Sequence, residues 1–342
     1  MEEFLIVRLS SLGDIIHTLP AFSALRKARP QSRISWLVEE KGQEILELVP
    51  GIDRIFPVSL KRWAPGSARF WKEVLRLRKA IQKKNRTAID FQGLVKSGFY
   101  AFLSGAETRV GFHRKNLKEP LASIFYTDAT EPLPEDIHVI EKNLKLLSKL
   151  AIEAAVYDFP LEIPERIAES VRMILEGAGY NRQKKLLLLN VGAAWETKRW
   201  PAGRWSRLIA LLRNKEVFPL LLWGKELEKT IARDVVRETG TPMVPPLSLQ
   251  EVMALVREAA LVVSGDTFVL QAACALSRPV VGLFGPTDPR RNGPFRAEDT
   301  WAFHRLECSG CYKRACSRIE CLDLITPKEV AALCLEVLKK HG

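Results

Sequence analysis

No stretch of about 18 uninterrupted apolar residues occurs in this chain, so no segment reads as a membrane-spanning helix. No Asp-x-Asp occurs either. That pair commonly holds a divalent cation against a diphosphate, so phosphate chemistry here is expected to run without a metal. Helix dipoles, hydroxyls and lysines would have to stabilise the charge instead. Gly-x-Gly-x-x-Gly is absent, which counts against a dinucleotide fingerprint. The cysteines do not form the two paired Cys-x-x-Cys knuckles of a zinc ribbon. There is no short-period repeat and no low-complexity segment. The opening Met1-Glu2-Glu3-Phe4-Leu5-Ile6-Val7 lacks the basic start of a secretory signal and runs directly into a strand-like segment. The expectation is a cytoplasmic protein.

What is present points to two domains and an anionic partner. Hydrophobic residues fill 47% of the 342 positions. At roughly 150 residues per domain, that length suits two domains, each with its own core. Lys and Arg number 52 against 40 Asp and Glu, a net charge of +12. Such an excess favours nucleic acid, a membrane surface or a phosphorylated substrate. It is concentrated: residues 61–86 hold ten Lys/Arg and one acid, Glu73. The same stretch also reads as a helix with a solvated basic face. Four of the six cysteines fall in Cys308-x2-Cys311-x4-Cys316-x4-Cys321. In a reducing compartment this is a metal site or a packed, oxidisable thiol-rich loop. Cys274 and Cys334 sit in apolar helix-like stretches and read as core.

The N-terminal half alternates strands and helices. Strands are expected at Phe4–Leu9, Ile34–Val38, Arg54–Val58, Ala88–Phe91 and Arg109–Phe112, with an amphipathic stretch from Ser10 to Pro30. Helices are expected at 42–49, at about 67–84 and from about 94. The pattern loosens around 151–165, where Pro160 and Pro164 mark a linker. It restarts with strands Lys185–Val191, Val217–Trp223, Leu261–Ser264 and Pro279–Phe284. Strands separated by helices of 10–15 residues or so imply right-handed βαβ units and parallel sheets. The fold class is α/β. Two Rossmann-like halves with parallel sheets facing a central cleft make the GT-B arrangement. The expected boundaries are 1–160, 161–326 and a C-terminal helix, 327–342, packing back on the first half.

Three junctions carry candidate chemistry. Ser10-Ser11-Leu12-Gly13-Asp14 lies where the first strand gives way to a helix, and ligands gather at such carboxyl ends. Gly13 lets the backbone turn tightly. Asp14 reads either as a helix N-cap or as a general base accepting a proton from an attacking hydroxyl. Gly192 to Pro201 follows the Leu-rich strand. Lys198 and Arg199 stand there before a helix start, a favourable phosphate site or else a basic surface loop. Ser264 to Gln271 and Gly285 to Pro289 form the third region. The N–H groups at the start of the 267–276 helix, with the Thr267 hydroxyl, can cradle a diphosphate. Asp266 and Thr287 also read as plain caps.

Taken in order, these residues resemble the lipopolysaccharide heptosyltransferases. The resemblance rests on Leu5 to Asp14, His17-Thr18-Leu19-Pro20, Thr197 to Pro201, Trp223-Gly224, Asp266-Thr267 and Phe284 to Pro289. Ile89 to Ser97 and Glu119 to Tyr126 are similar to members that add the first heptose. The Cys308–Cys321 pattern is more like members that add the second.

The resemblance implies an inverting transfer from ADP-heptose, bound in the C-terminal half, to a Kdo residue of Kdo-lipid A, bound in the N-terminal half. It implies Asp14 as the base, Lys198 on the donor phosphates and Asp266 near the donor sugar. Glu228 is similar in position to a ribose-binding glutamate, and Leu247 to the apolar residue beside adenine. Thr267, Phe268, Gln271 and Thr287 complete the implied donor site. Ser10, Gly13, Arg62, Lys96 and Lys118 fall where the family binds the acidic acceptor. The chain departs from many relatives at Phe268 and Gln271, which stand in place of Gly and His, and at Ala193 and Ala194, which replace hydroxyl residues. Gln can donate a hydrogen bond but carries no charge. No cofactor or divalent metal is expected. The expected protein is a monomer on the cytoplasmic face of the inner membrane, with an anionic membrane surface and no nucleic acid as partner. A nucleic-acid-binding reading lacks a recognised module. Another GT-B enzyme, such as a nucleotide-sugar epimerase, would be separated by product analysis.

Overall fold

The computed structural model describes residues 1–59, 68–83, 86–154, 156–213, 215–296 and 299–341. Arg62, assigned above to the acceptor, lies outside the described residues. The chain forms two compact units, Met1–Glu162 and Ile163–Gly342.

In the first unit β1 (Glu3–Val7), β2 (Arg33–Glu39), β3 (Arg54–Val58), β4 (Thr87–Asp90), β5 (Thr108–Gly111) and β6 (Asp128–Ala129) make one sheet, ordered β3-β2-β1-β4-β5-β6. All pairings are parallel. Strands of a sheet covered on both faces need no polar alternation, and β1 is buried at every position. Strand order reverses between β1 and β4. The loops leaving those two strands therefore frame the crevice where doubly wound sheets bind ligands.

The helix after β1, Leu12–Ala28, departs from the amphipathic expectation: Ile15 through Ser23 are all buried. It packs against the Val139–Leu146 helix. Pro20 within it cannot donate to the carbonyl four residues back and disturbs the turn before it. Asn143 Nδ2 donates to His17 O at 2.9 Å and ties the Val139–Leu146 helix to this one.

In the second unit β7 (Lys185–Asn190), β8 (Val217–Leu222), β9 (Leu261–Gly265), β10 (Val280–Phe284) and β11 (Thr300–Phe303) are ordered β11-β10-β9-β7-β8, again parallel. A parallel bridge from Leu221 to Met243 extends the β8 edge. With that bridge counted as a strand, the order matches the first sheet. The reversal lies between β7 and β9. Residues 327–342 belong to this unit: the Pro327–Lys340 helix packs on the Ala202–Leu212 helix and on strands of the same sheet, burying Val330, Cys334 and Val337.

Candidate active site

At the first unit's crevice the structure alters the reading of Asp14. Ser11, not Asp14, is the N-cap of the Leu12–Ala28 helix. Asp14 occupies the third helical position, and its Oδ2 accepts from Ser11 N at 3.0 Å and Ser11 Oγ at 2.8 Å, a capping box. Its other oxygen, Oδ1, pairs with Arg8 Nη2 at 2.8 Å. Arg8 lies at the end of β1 with its side chain 8% exposed, against 31% for Asp14. The pair thus presents its negative partner outward. Burial alone would raise the Asp14 pKa. The Arg8 guanidinium, then His17 and the two Ser11 hydrogen bonds, outweigh that and lower it to about 2.

The loop after β4 braces this arrangement. Asp90 is fully buried. One of its oxygens accepts from Gln92 N and Gly93 N, the other from Ser97 Oγ and Tyr126 Oη, both at 2.8 Å. Burial raises its pKa despite those bonds. Gln92 Oε1 in turn accepts from Leu9 N at 2.8 Å and Ser10 N at 3.3 Å. Arg8 Nη1 donates to Phe91 O. The two crevice loops are therefore stitched together. Arg8, Asp90 and Gln92 lie within the motifs of the resemblance, but their roles follow only from partners distant in sequence. Ser10 stands in this crevice loop, whereas Gly13 is the second residue of the Leu12–Ala28 helix and makes no glycine-specific turn; both are partly exposed. Lys96 is in the first turn of the Val95–Leu103 helix and Lys118 is exposed ahead of the turn at Pro120–Phe125.

At the second unit's crevice the loop after β7 is not a solvated basic surface. Lys198 Nζ meets Asp266 Oδ2 at 2.6 Å and Asp266 O at 3.1 Å, with side chains 13% and 11% exposed. Lys198 also lies 4.3 Å over the Trp195 ring, and Arg314 lies 5.5 Å from the same ring. Arg199 turns back to Ala193 O at 2.8 Å and closes the loop on itself. Thr197 Oγ1 donates to Lys313 O at 2.7 Å, so the cysteine-rich loop supports the Lys198 loop. Cys308, Cys311 and Cys316 are exposed free thiols, and burial raises the pKa of the half-buried Cys321.

Neither Asp266 nor Thr287 is a cap. Thr267 caps the Phe268–Ala275 helix by position, yet its hydroxyl turns away from the helix. It is held by Asn190 Nδ2 at 3.1 Å and Ser264 Oγ at 3.0 Å. The first-turn N–H groups are thus not consumed by their own cap, which suits an anion at that end. Asp288 caps the Pro289–Asn292 turn by accepting from Arg290 N, while Thr287 is buried beside it. Gln271 is buried and donates to Asn292 O at 2.7 Å, so its amide ties the two loops together. Phe268 opens the helix and is half-buried. Glu228 Oε2 accepts from Gly224 N at 2.8 Å and Lys225 N at 2.9 Å. A Cβ at Gly192 would fall 2.4 Å from that oxygen, so the β7 loop needs glycine where the carboxylate passes. Leu247 is half-buried just before Ser248, the N-cap of the Leu249–Glu258 helix.

The family model of glycosyltransferase family 9 (heptosyltransferase) matches residues 74–321. The chain belongs to this family. As a family 9 glycosyltransferase it has the GT-B type of its solved relatives. It is 30% identical over 320 residues to lipopolysaccharide heptosyltransferase 1 of Pseudomonas aeruginosa, covering 92% of this chain and 87% of that one. It is 31% identical to the Escherichia coli K12 protein of the same name, covering 83% and 88%. The solved E. coli heptosyltransferase WaaC with ADP superposes with a TM-score of 0.79 at 27% identity, covering 98% of this chain and 99% of that one. The same enzyme has been solved with ADP-2-deoxy-2-fluoro heptose, at a TM-score of 0.77.

Proposed function

We propose that this family 9 glycosyltransferase moves heptose from ADP-heptose to a Kdo residue of Kdo-lipid A, with inversion at the anomeric carbon. The observation that carries the reading is the outward-facing Asp14 carboxylate held by Arg8 and Ser11 at the first crevice. It is joined by the similarity to lipopolysaccharide heptosyltransferase 1 over most of the chain. Oδ2 of Asp14 accepts both Ser11 hydrogen bonds, whereas Oδ1 is ion-paired with Arg8. The carboxylate takes the proton as the Kdo hydroxyl oxygen attacks the anomeric carbon and the bond to ADP breaks. Lys198 exchanges Asp266 for the leaving diphosphate, which also meets the amino end of the Phe268–Ala275 helix and Thr267. Glu228 keeps Oε1 for a ribose hydroxyl, and Leu247 lies against the adenine. Losing such an electrostatic stabiliser typically costs about 3–4 kcal/mol of barrier.

Lys96, Lys118 and Arg62 bind the acidic acceptor, and the +12 chain works at the cytoplasmic face of the inner membrane as a monomer needing no divalent metal. The test offers ADP-heptose with Kdo-lipid A and, separately, with its mono-heptosylated form. Consumption of Kdo-lipid A alone supports transfer of the first heptose. Consumption of the mono-heptosylated form alone assigns the second transfer, and consumption of neither overturns the reading.

A further inference from the structure

Phe102, Leu121 and Ile124 are 54%, 65% and 71% exposed. They are not scattered. The Val95–Leu103 helix packs directly on the Pro120–Phe125 turn. Gly98 permits it: a Cβ there would sit 2.8 Å from the Phe125 ring and 3.3 Å from Ala122 O. Phe125 forms the floor, with its ring 6.2 Å from both Phe99 and Phe102. Arg109 locks the turn by donating to Phe125 O at 2.6 Å, with its guanidinium 5.8 Å over Phe102. The result is a rigid apolar ridge with two aliphatic side chains at its crest.

Its surroundings are cationic. Arg114, Lys115 and Lys118 are exposed in the segment that leads into the turn, and Lys96 stands in the first turn of the helix. Glu119, the nearest acid in sequence, spends its Oε2 on Val95 N at 2.7 Å. Apolar side chains set among lysines and arginines fit the boundary of an anionic bilayer. There the side chains enter the acyl region and the cations stay with the headgroups. A second protein would be expected to meet a charge-depleted apolar core instead.

We propose that the ridge formed by Phe102, Leu121 and Ile124 is a membrane-insertion surface, seated in an anionic bilayer beside the acceptor-binding lysines. It rests on the lipid-linked acceptor of the proposed function and adds an apolar contact to the charge attraction. Insertion sets the depth at which Lys96 and Lys118 meet the headgroup of a membrane-embedded acceptor.

The test is co-sedimentation of the full chain with vesicles of phosphatidylethanolamine and phosphatidylglycerol, against vesicles of phosphatidylcholine. Leu121 and Ile124 are changed together to Ser, which leaves the Phe99–Phe102–Phe125 packing intact. Binding to the anionic vesicles should fall at least about tenfold, a loss that withdrawal of about two buried methylenes would already produce. Leu121→Trp should strengthen binding, because indole favours the interface. KM for acceptor presented in vesicles should rise in the double variant, while KM for ADP-heptose and turnover of a deacylated, water-soluble acceptor stay unchanged. Binding unaffected by both changes overturns the inference. So does a double variant whose only change is lost self-association without vesicles, which would make the ridge a contact between copies. Sedimentation needs no turnover, so absent transfer to any acceptor would count against the proposed function without deciding the ridge.

Discussion

The two crevices share one strand order and hold opposite arrangements of charge. In the first, the cation directly follows β1 and the carboxylate is on the helix beyond it, and burial is uneven: 8% exposure for Arg8 and 31% for Asp14. In the second, the cation is on the loop after β7 and the carboxylate on the loop after β9, and both are almost covered, at 13% and 11%. The first pair offers a fixed negative charge to whatever enters. The second offers nothing until a ligand competes for Lys198, and a diphosphate is such a competitor. Under the proposed function, similar topology serves as a base in one unit and an anion receiver in the other, because the first pair leaves its carboxylate exposed while the second covers both partners.

The change that breaks this contrast most severely is Asp14→Ala. Turnover should fall by about 10²–10⁴, the range for a general base, while ADP affinity measured by calorimetry stays within twofold or so of wild type. A variant that retains more than about a tenth of the activity excludes that role. Next is Lys198→Ala, expected to cost about 10²–10³ in kcat and to weaken ADP binding. Unchanged ADP affinity together with unchanged kcat would mean that the Lys198–Asp266 pair is structural only.

A finer probe changes the partner instead of the base. A carboxylate whose pKa is lowered stays ionised until pH falls through that pKa. With Asp14 at about 2, the wild type should show no acid limb from this group across the usual assay range. Arg8→Met removes the leading downward influence, while His17 and the Ser11 hydrogen bonds remain, so the pKa should rise and an acid limb in kcat/KM should shift to higher pH. Arg8→Lys should push it back down. Identical pH profiles for all three proteins would show that the ion pair does not set the state of the base. The smallest effect is expected from EDTA. With no Asp-x-Asp in the chain, activity should be unaltered, and a loss restored by magnesium would assign the diphosphate to a cation in place of Lys198.

Much of the fold was legible because its signals are local. The Leu186–Leu189 run announces a strand buried on both faces, and β7 spans Lys185–Asn190. β6 and β11 are not legible in the sequence, because two residues, and the four of Thr300–Phe303, carry too little pattern to separate from a loop. The Leu12–Ala28 helix looked amphipathic because its ends are polar, whereas packing covers its middle all round. Asp14, Asp266 and Thr287 were open to a cap reading because Asp and Thr suit caps. The N-cap positions belong instead to Ser11, Thr267 and Asp288, of which Thr267 makes no side-chain cap bond. The Ser11-x-x-Asp14 spacing was the available signal that Asp14 is the reciprocal partner in a capping box.

The sequence by itself determined the alternation of strand and helix, the parallel pairing and the loops in which ligands gather. Each of these follows from hydrophobic period, turn residues and the handedness of βαβ connections, which act over a few residues at a time. Only the tertiary structure decided which charges meet. Lys198 and Asp266 are 68 positions apart, and Gln92 reaches Leu9 across 83. The energy of such contacts depends on separation and on how much water is excluded, so it is set where the chain crosses itself.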